Sequence, residues 1–191
     1  MKCLPVAIAT GGKHGAMKAS TVHNFRTDLA FSDAAGDEPF WDAVYRKAFP
    51  DMVGHILCNK DGLGQRSGID RLVYLSSGRD IRIDEKKRRE VYDDILLEYL
   101  SNDATNAPGW MDKSLQIDYI AYAFMPLRKV YLFPWDMLRR AWLNFKPYWM
   151  EKYPRIWAQN DGYKTWSLAV PIEEVKRSVY MAMIIQLKDA S

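Results

Sequence analysis

The sequence predicts an α/β domain in which helices flank a central mixed β-sheet. Two helical stretches carry apolar residues every three or four positions, one after residue 36 and one after Pro134. Between and after them lie short β-branched and aromatic runs bounded by Gly, Pro, Ser and Asp. Helical and strand periods alternate along the chain instead of separating into halves, which favours one sheet with helices packed on it.

Residues 1 to 35 are rich in Ala, Gly, Ser, Thr and Lys without a sustained period and read as an irregular arm. Residues 36 to 191 read as one domain. Gly36-Asp37-Glu38-Pro39 marks a helix start, with Asp37 as cap and Pro39 in the first turn. Phe40, Val44 and Ala48 then recur every four residues, and Phe49-Pro50 should end the helix.

Glycines 62, 64 and 68 punctuate a loop, after which Ile69 to Leu75 and Ile81 to Lys87 read as two strands joined by Ser76-Ser77-Gly78-Arg79-Asp80. Further strands are expected at Ile95 to Leu100, Ile117 to Phe124 and Val130 to Phe133, with a polar loop from Asn102 to Gly109. Pro134 precedes a helix whose apolar face is Leu138, Ala141, Trp142 and Phe145, and Pro147 should end or kink it. A strand at Thr165 to Val170 leads through Pro171 into a last helix with Val175, Val179 and Met183 on one side.

The chain has 191 residues, 48% of them hydrophobic and 13% aromatic, enough for a real core and against disorder. Cys3 and Cys58 are too few for a disulfide framework, the N-terminus lacks the apolar stretch of a signal peptide, and no apolar run is long enough to span a bilayer. The expectation is a soluble intracellular protein with no membrane partner. A net charge of +3 does not by itself argue for nucleic acid, because placement matters more than the sum. The cations do cluster, at Lys86-Lys87-Arg88-Arg89 and again among Arg128, Lys129, Arg139, Arg140, Lys146, Lys152 and Arg155. The second group reads equally as a solvated face.

Chemistry concentrates on the predicted hairpin. Gly68-Ile69-Asp70 leads into one strand, and Ile81-Arg82-Ile83-Asp84-Glu85-Lys86-Lys87-Arg88 forms the other. Alternate side chains of a strand share a face, so Asp84, Lys86 and Arg88 line one side while Ile81 and Ile83 line the other. Asp70 on the neighbouring strand can meet Asp84 and Lys86, whereas Glu85 follows the isoleucines toward the core unless the strand twists or ends. Carboxylate oxygens hold hard divalent cations, and a lysine beside them offsets phosphate charge, which is the chemistry of metal-assisted phosphodiester cleavage.

The spacing alone is unspecific, since a carboxylate two positions before a lysine arises by chance roughly once or twice in a chain of this size. Glu85 with Lys87 and Glu174 with Lys176 also satisfy it. The Asp84 pair differs in context, with a Gly-Ile-Asp strand, a tight turn and an aliphatic run ahead of the charges.

In these residues the chain resembles the PD-(D/E)XK nucleases, a superfamily of restriction endonucleases, Holliday junction resolvases and recombination exonucleases. The resemblance spans about residues 38 to 100 and implies a restriction endonuclease-like core. By it, Asp70 and Asp84 are the metal-binding carboxylates, with Glu85 the alternative second ligand, and Lys86 is the catalytic lysine. Glu38 is the nearest match to an acidic residue on the first helix, with Asp42 the alternative, and Lys87 and Arg88 contact neighbouring phosphates. Two departures are the aspartate in place of the commoner glutamate at position 84 and Ile69 in place of the proline before Asp70. Asp118-Tyr119-Ile120 and Asn160-x-x-Tyr163-x-Thr165 resemble landmarks of small phage-type nucleases, which implies a phage or prophage origin. The resemblance also implies Mg²⁺ or Mn²⁺ as cofactor, nucleic acid as substrate with DNA foremost, and a homodimer for duplex cleavage. The rival function is a non-catalytic nucleic-acid- or protein-binding module on the same fold, which divalent-metal affinity would separate from an enzyme.

Other constellations carry less. Gly62-x-Gly64-x-x-x-Gly68 misses the dinucleotide fingerprint by one residue and precedes a strand instead of opening a helix. His55 and Cys58 have the spacing of half a zinc site without a second half, and His14 and His23 lie in the arm. No serine or cysteine stands in a nucleophile context. Trp135, Trp142, Trp149, Trp157 and Trp166 among basic residues can stack on bases, but the seven-residue step from Trp135 to Trp142 favours a core face.

Overall fold

The computed structural model describes residues 38–58 and 68–188. The expected arm, the Asp37 cap, His14, His23, Gly62 and Gly64 lie outside the described residues. Helix α1 (Glu38–Ala48) buries Phe40, Trp41, Val44 and Tyr45, one stripe at helical spacing. It covers one face of a six-stranded mixed sheet. In chain order that sheet is built from β1 (Met52–Leu57), β2 (Arg71–Leu75), β3 (Asp80–Arg88), β6 (Tyr119–Phe124), β7 (Lys129–Pro134) and β10 (Met183–Gln186). The strands also lie side by side in that order.

All its neighbours are antiparallel except β3 and β6, which run parallel with Asp84 beside Ile120 and Lys86 beside Tyr122. A parallel pair needs a crossover. Here the crossover holds β4 (Asp94–Asn102), β5 (Ala107–Pro108) and a 3₁₀ turn at Trp110–Asp112. With β8 (Arg155–Gln159) and β9 (Lys164–Pro171), strands β4 and β5 make a second, antiparallel sheet in the order β5-β4-β9-β8. This sheet, helix α2 (Trp135–Lys152) and helix α3 (Ile172–Ser178) cover the other face of the first sheet.

The hairpin forms where it is predicted. Gly78 takes a φ of 82° in the turn, a conformation open to glycine, and Val73 pairs with Ile81 across the ladder. Ile81, Ile83 and Val73 go to the α1 side, so the even-numbered residues of β3 face the second sheet.

Two helix expectations need correction. Pro147 does not end α2, which continues to Lys152 with Trp142 and Trp149 both fully buried. Pro147 sits on the exposed face, where water can bond the carbonyl it leaves unpaired, while the buried indoles seven residues apart hold the helix to the core. The last helix stops at Ser178, and Met183 belongs to β10, where Met183-Ile184-Ile185 add an edge strand to β7. Val179 is buried as expected. Among the tryptophans, Trp135, Trp142 and Trp149 are core, which removes them as stacking platforms. Trp157 and Trp166 face each other across β8 and β9, half-buried, with Lys164 over the Trp157 ring. No helix among the described residues is long and apolar enough to cross a membrane.

Gly109 enters the 3₁₀ turn directly over β4. A Cβ placed there would lie 2.3 Å from the Glu98 carbonyl oxygen, which is backbone and cannot swing away. Gly109→Ala is therefore expected to lower the unfolding free energy in urea titration by about 1–3 kcal/mol, the usual cost of overpacking. An unchanged midpoint would mean that the turn is not held at this distance.

Candidate active site

The register of the hairpin decides the site. Arg71 lies opposite Ile83, which places Asp70 beside Asp84 at the end of β2. The peptide N–H of Asp70 donates to the Ile83 carbonyl at 2.9 Å, and the Glu85 N–H donates to Asp70 Oδ2 at 2.8 Å. Asp84 carries its carboxylate on the same face, and Lys86 donates from Nζ to Asp84 Oδ1 at 2.6 Å. The Asp84 side chain is 5% exposed and that of Lys86 31%, so the lysine is the group that meets solvent. The Trp110 ring lies 5.8 Å from Lys86 Nζ. It is held there because Trp142 Nε1 and Lys146 Nζ both donate to Asp112 in the same 3₁₀ turn, at 2.9 and 2.7 Å.

Charge within this face is unevenly balanced. Burial pushes the Asp84 carboxyl up to about 7, with Lys86 working against the shift and the neighbouring Asp70 adding to it. Burial also works against the charge on Lys86, but Asp84 and Asp70 outweigh it, and the ammonium is held above its ordinary range. Glu98 on β4 is a third carboxylate beside Lys86. Burial raises its pKa, against the pull of Lys86 and Lys113.

Glu85 is on the opposite face. Its side chain is 5% exposed and accepts at Oε1 from Arg71 Nε at 2.5 Å and from the Tyr45 hydroxyl at 2.8 Å. Burial raises its pKa, and Arg71 and Tyr45 oppose the rise. Glu38 is there too: Arg71 Nη1 donates to its two oxygens at 3.1 and 3.0 Å. The same Nη1 lies 2.9 Å from His55 Nδ1, which must accept because a guanidinium only donates. His55 Nε2 lies 3.4 Å from Asp42, the other acidic residue considered on α1.

The structure thus gathers Asp70, Asp84 and Lys86 on one face and separates Glu85 and Glu38 from them on the other. Arg88 shares the front face but is 16% exposed, donating to the Tyr122 hydroxyl at 3.3 Å and lying over the Tyr92 ring at 4.3 Å. Lys87 falls in the rear phase of β3 with Glu85. Asp118, one of the expected landmarks, accepts from the Arg82 backbone at 2.8 Å and from Arg82 Nε at 3.2 Å. It lines an open groove of about 420 Å³ with Arg79, Arg82, Trp135 and Asp136. Asn160 and Thr165 bond one another at 2.9 Å beside the β8–β9 turn.

Asp70 and Asp84 offer hard oxygen donors on one face, a donor set that suits Mg²⁺ or Mn²⁺. Among the described residues no group of three or more His, Cys, Asp or Glu is arranged to hold a metal. Two carboxylates are nevertheless the usual protein share for Mg²⁺, which keeps waters and takes the rest from phosphate. Sequence reasoning did not find Glu98 or Arg71. Glu98 shows in the sequence only as an acid following Ile95 and Leu97 on the strand, and Arg71 only as the residue after Asp70. No family model matches the chain, and no curated protein or solved structure is found to match it.

The raised Asp84 pKa has a definite consequence for metal-free protein. The folded state keeps a proton that the unfolded chain has released, so stability from this group is full below about pH 4 and is lost as pH rises toward 7. Asp84→Asn cannot release that proton, and in EDTA it is expected to gain thermal stability over wild type at pH 8 but not at pH 4. Parallel melting curves across the range would show this as a closing gap toward low pH, and a constant gap would contradict it.

Proposed function

We propose that this chain is a divalent-metal-dependent nuclease that hydrolyses phosphodiester bonds of nucleic acid, with DNA the first substrate class. The observation that carries the reading is the front face of the hairpin, where two carboxylates from neighbouring strands adjoin one partly exposed lysine bonded to the second of them. Carboxylates at adjacent strand positions of a mixed sheet are what the resemblance to PD-(D/E)XK nucleases implies, although here a second, antiparallel sheet joins the helices in flanking it.

Asp70 and Asp84 would hold the ion, which when bound supplies charge neutralisation at the phosphate and a more acidic water. Asp84 must give up its proton to do so. Asp70 is already oriented by the Glu85 N–H at Oδ2, and its carboxylate adjoins that of Asp84. Lys86 stays protonated and, released from Asp84, donates to water or to a phosphate oxygen, while the Trp110 ring bounds its position on one side. Glu98 is the carboxylate left to balance Lys86 when Asp84 turns to the ion. Arg82, two positions before Asp84 on the same face, and the groove beside it give the backbone of a substrate a place to continue.

The test is incubation with Mg²⁺ or Mn²⁺ and linear, circular, single-stranded and branched nucleic acids, beside Lys86→Ala and EDTA controls. Cleavage is expected, abolished by EDTA and lowered about 10²-fold or more by Lys86→Ala, the scale of losing one transition-state donor. No cleavage of any substrate, with no metal binding by calorimetry, would overturn the proposal and favour a binding module.

A further inference from the structure

Arg71 is 2% exposed and follows Asp70 in the chain. From β2 its guanidinium reaches Glu85 on β3, Glu38 on α1 and His55 on β1, with contacts of 2.5 to 3.1 Å. Tyr45 on α1 lies in the same cluster, bonded to Glu85 and with its ring beside Arg71 and His55. Glu85 is the shared member of the two faces. Its carboxylate is engaged by Arg71 and Tyr45 at the rear, and its own N–H holds Asp70 Oδ2 at the front.

We propose that Arg71 is a positioning residue for the Asp70–Asp84 pair, acting through Glu85. Its consequence for metal binding rests on the nuclease reading. Fixing the Glu85 side chain sets the peptide plane whose N–H orients Asp70, so a rear-face ion pair controls the aim of a front-face ligand. Arg71 also keeps Glu38 and Glu85 as its counter-ions. The front site therefore works with two acidic ligands, although the sequence offers Glu85 and Glu38 besides Asp70 and Asp84.

A purely structural ion pair would loosen the whole strand when removed, whereas a positioning residue changes one bond. The double variant Arg71→Met with Glu85→Met removes both charges, so neither is left buried alone, an exchange that proteins often tolerate. Arg71→Lys is the second variant; it keeps the charge near Glu85 but lacks the fork that spans to Glu38 and His55. Two readouts are taken on wild type and both variants: Mn²⁺ affinity by calorimetry, and amide hydrogen exchange of residues 81 to 87 by NMR.

The expected result is at least tenfold faster exchange at the residue 85 amide, wild-type exchange at 81 and 83, and Mn²⁺ affinity at least tenfold weaker in the double variant, with Arg71→Lys between. Unchanged exchange at 85, or equal acceleration along all of β3, in whichever variant folds would overturn the inference. So would wild-type Mn²⁺ affinity in a folded double variant. If wild type itself binds no Mn²⁺, the nuclease reading falls, and the exchange pattern alone decides the role of Arg71.

Discussion

The ion pair between Arg71 and Glu85, closed between α1 and the sheet, is the contact on which the rest of the site depends. A strand sends successive side chains to opposite faces, so Asp84, Glu85 and Lys86 cannot act as one cluster. With Ile81 and Ile83 on the rear face, Glu85 follows them to its partners Arg71 and Tyr45, and Asp84 and Lys86 face the second sheet. The parallel contact of β3 with β6 then seats them among Tyr122, Trp110 and β4. A one-residue slip of β3 would exchange the two sets, placing isoleucines in the site and acids in the core.

Burial of this many ionisable groups is costly unless each has a partner. The rear face meets the condition within the protein: Glu85 has an arginine and a tyrosine, and Glu38 shares the same arginine. The front face does not. Asp84 has Lys86 but also Asp70 beside it, and burial, with Asp70 adding to it, raises its pKa against the pull of Lys86. The rear network is thus paired within the protein, whereas at the front one lysine serves two carboxylates. Such unevenness is common where a site binds an ion or substrate, because stability is given up locally.

Much of this division could be read in the sequence. Ile81 and Ile83 fix the phase of β3, so the rear position of Glu85 and the common face of Asp84 and Lys86 follow from alternation alone, and Ser76-Ser77-Gly78 places the turn. The partner of Glu85 could not be read. Arg71 is an ordinary arginine until folding brings residues 14, 16 and 33 positions away to it. Glu98 was hidden for the same reason, since it comes from the crossover. Strands β1 and β10 carry weak signals: β1 contains Gly54 and a register shift, and β10 is a four-residue edge continuing an apparent helical period. The helix runs on through Pro147 because Trp142 and Trp149 on either side of it are buried, which local proline chemistry does not reveal.

The most direct test of this two-faced account is a Mn²⁺ titration, by calorimetry at pH 8, of wild type, Asp84→Asn and Glu85→Gln. Glutamine keeps an oxygen for Arg71 and Tyr45, so Glu85→Gln should bind within a few-fold of wild type, whereas Asp84→Asn should lose binding. Retained affinity in Asp84→Asn together with lost affinity in a folded Glu85→Gln would place the ligand on the rear face and contradict the account.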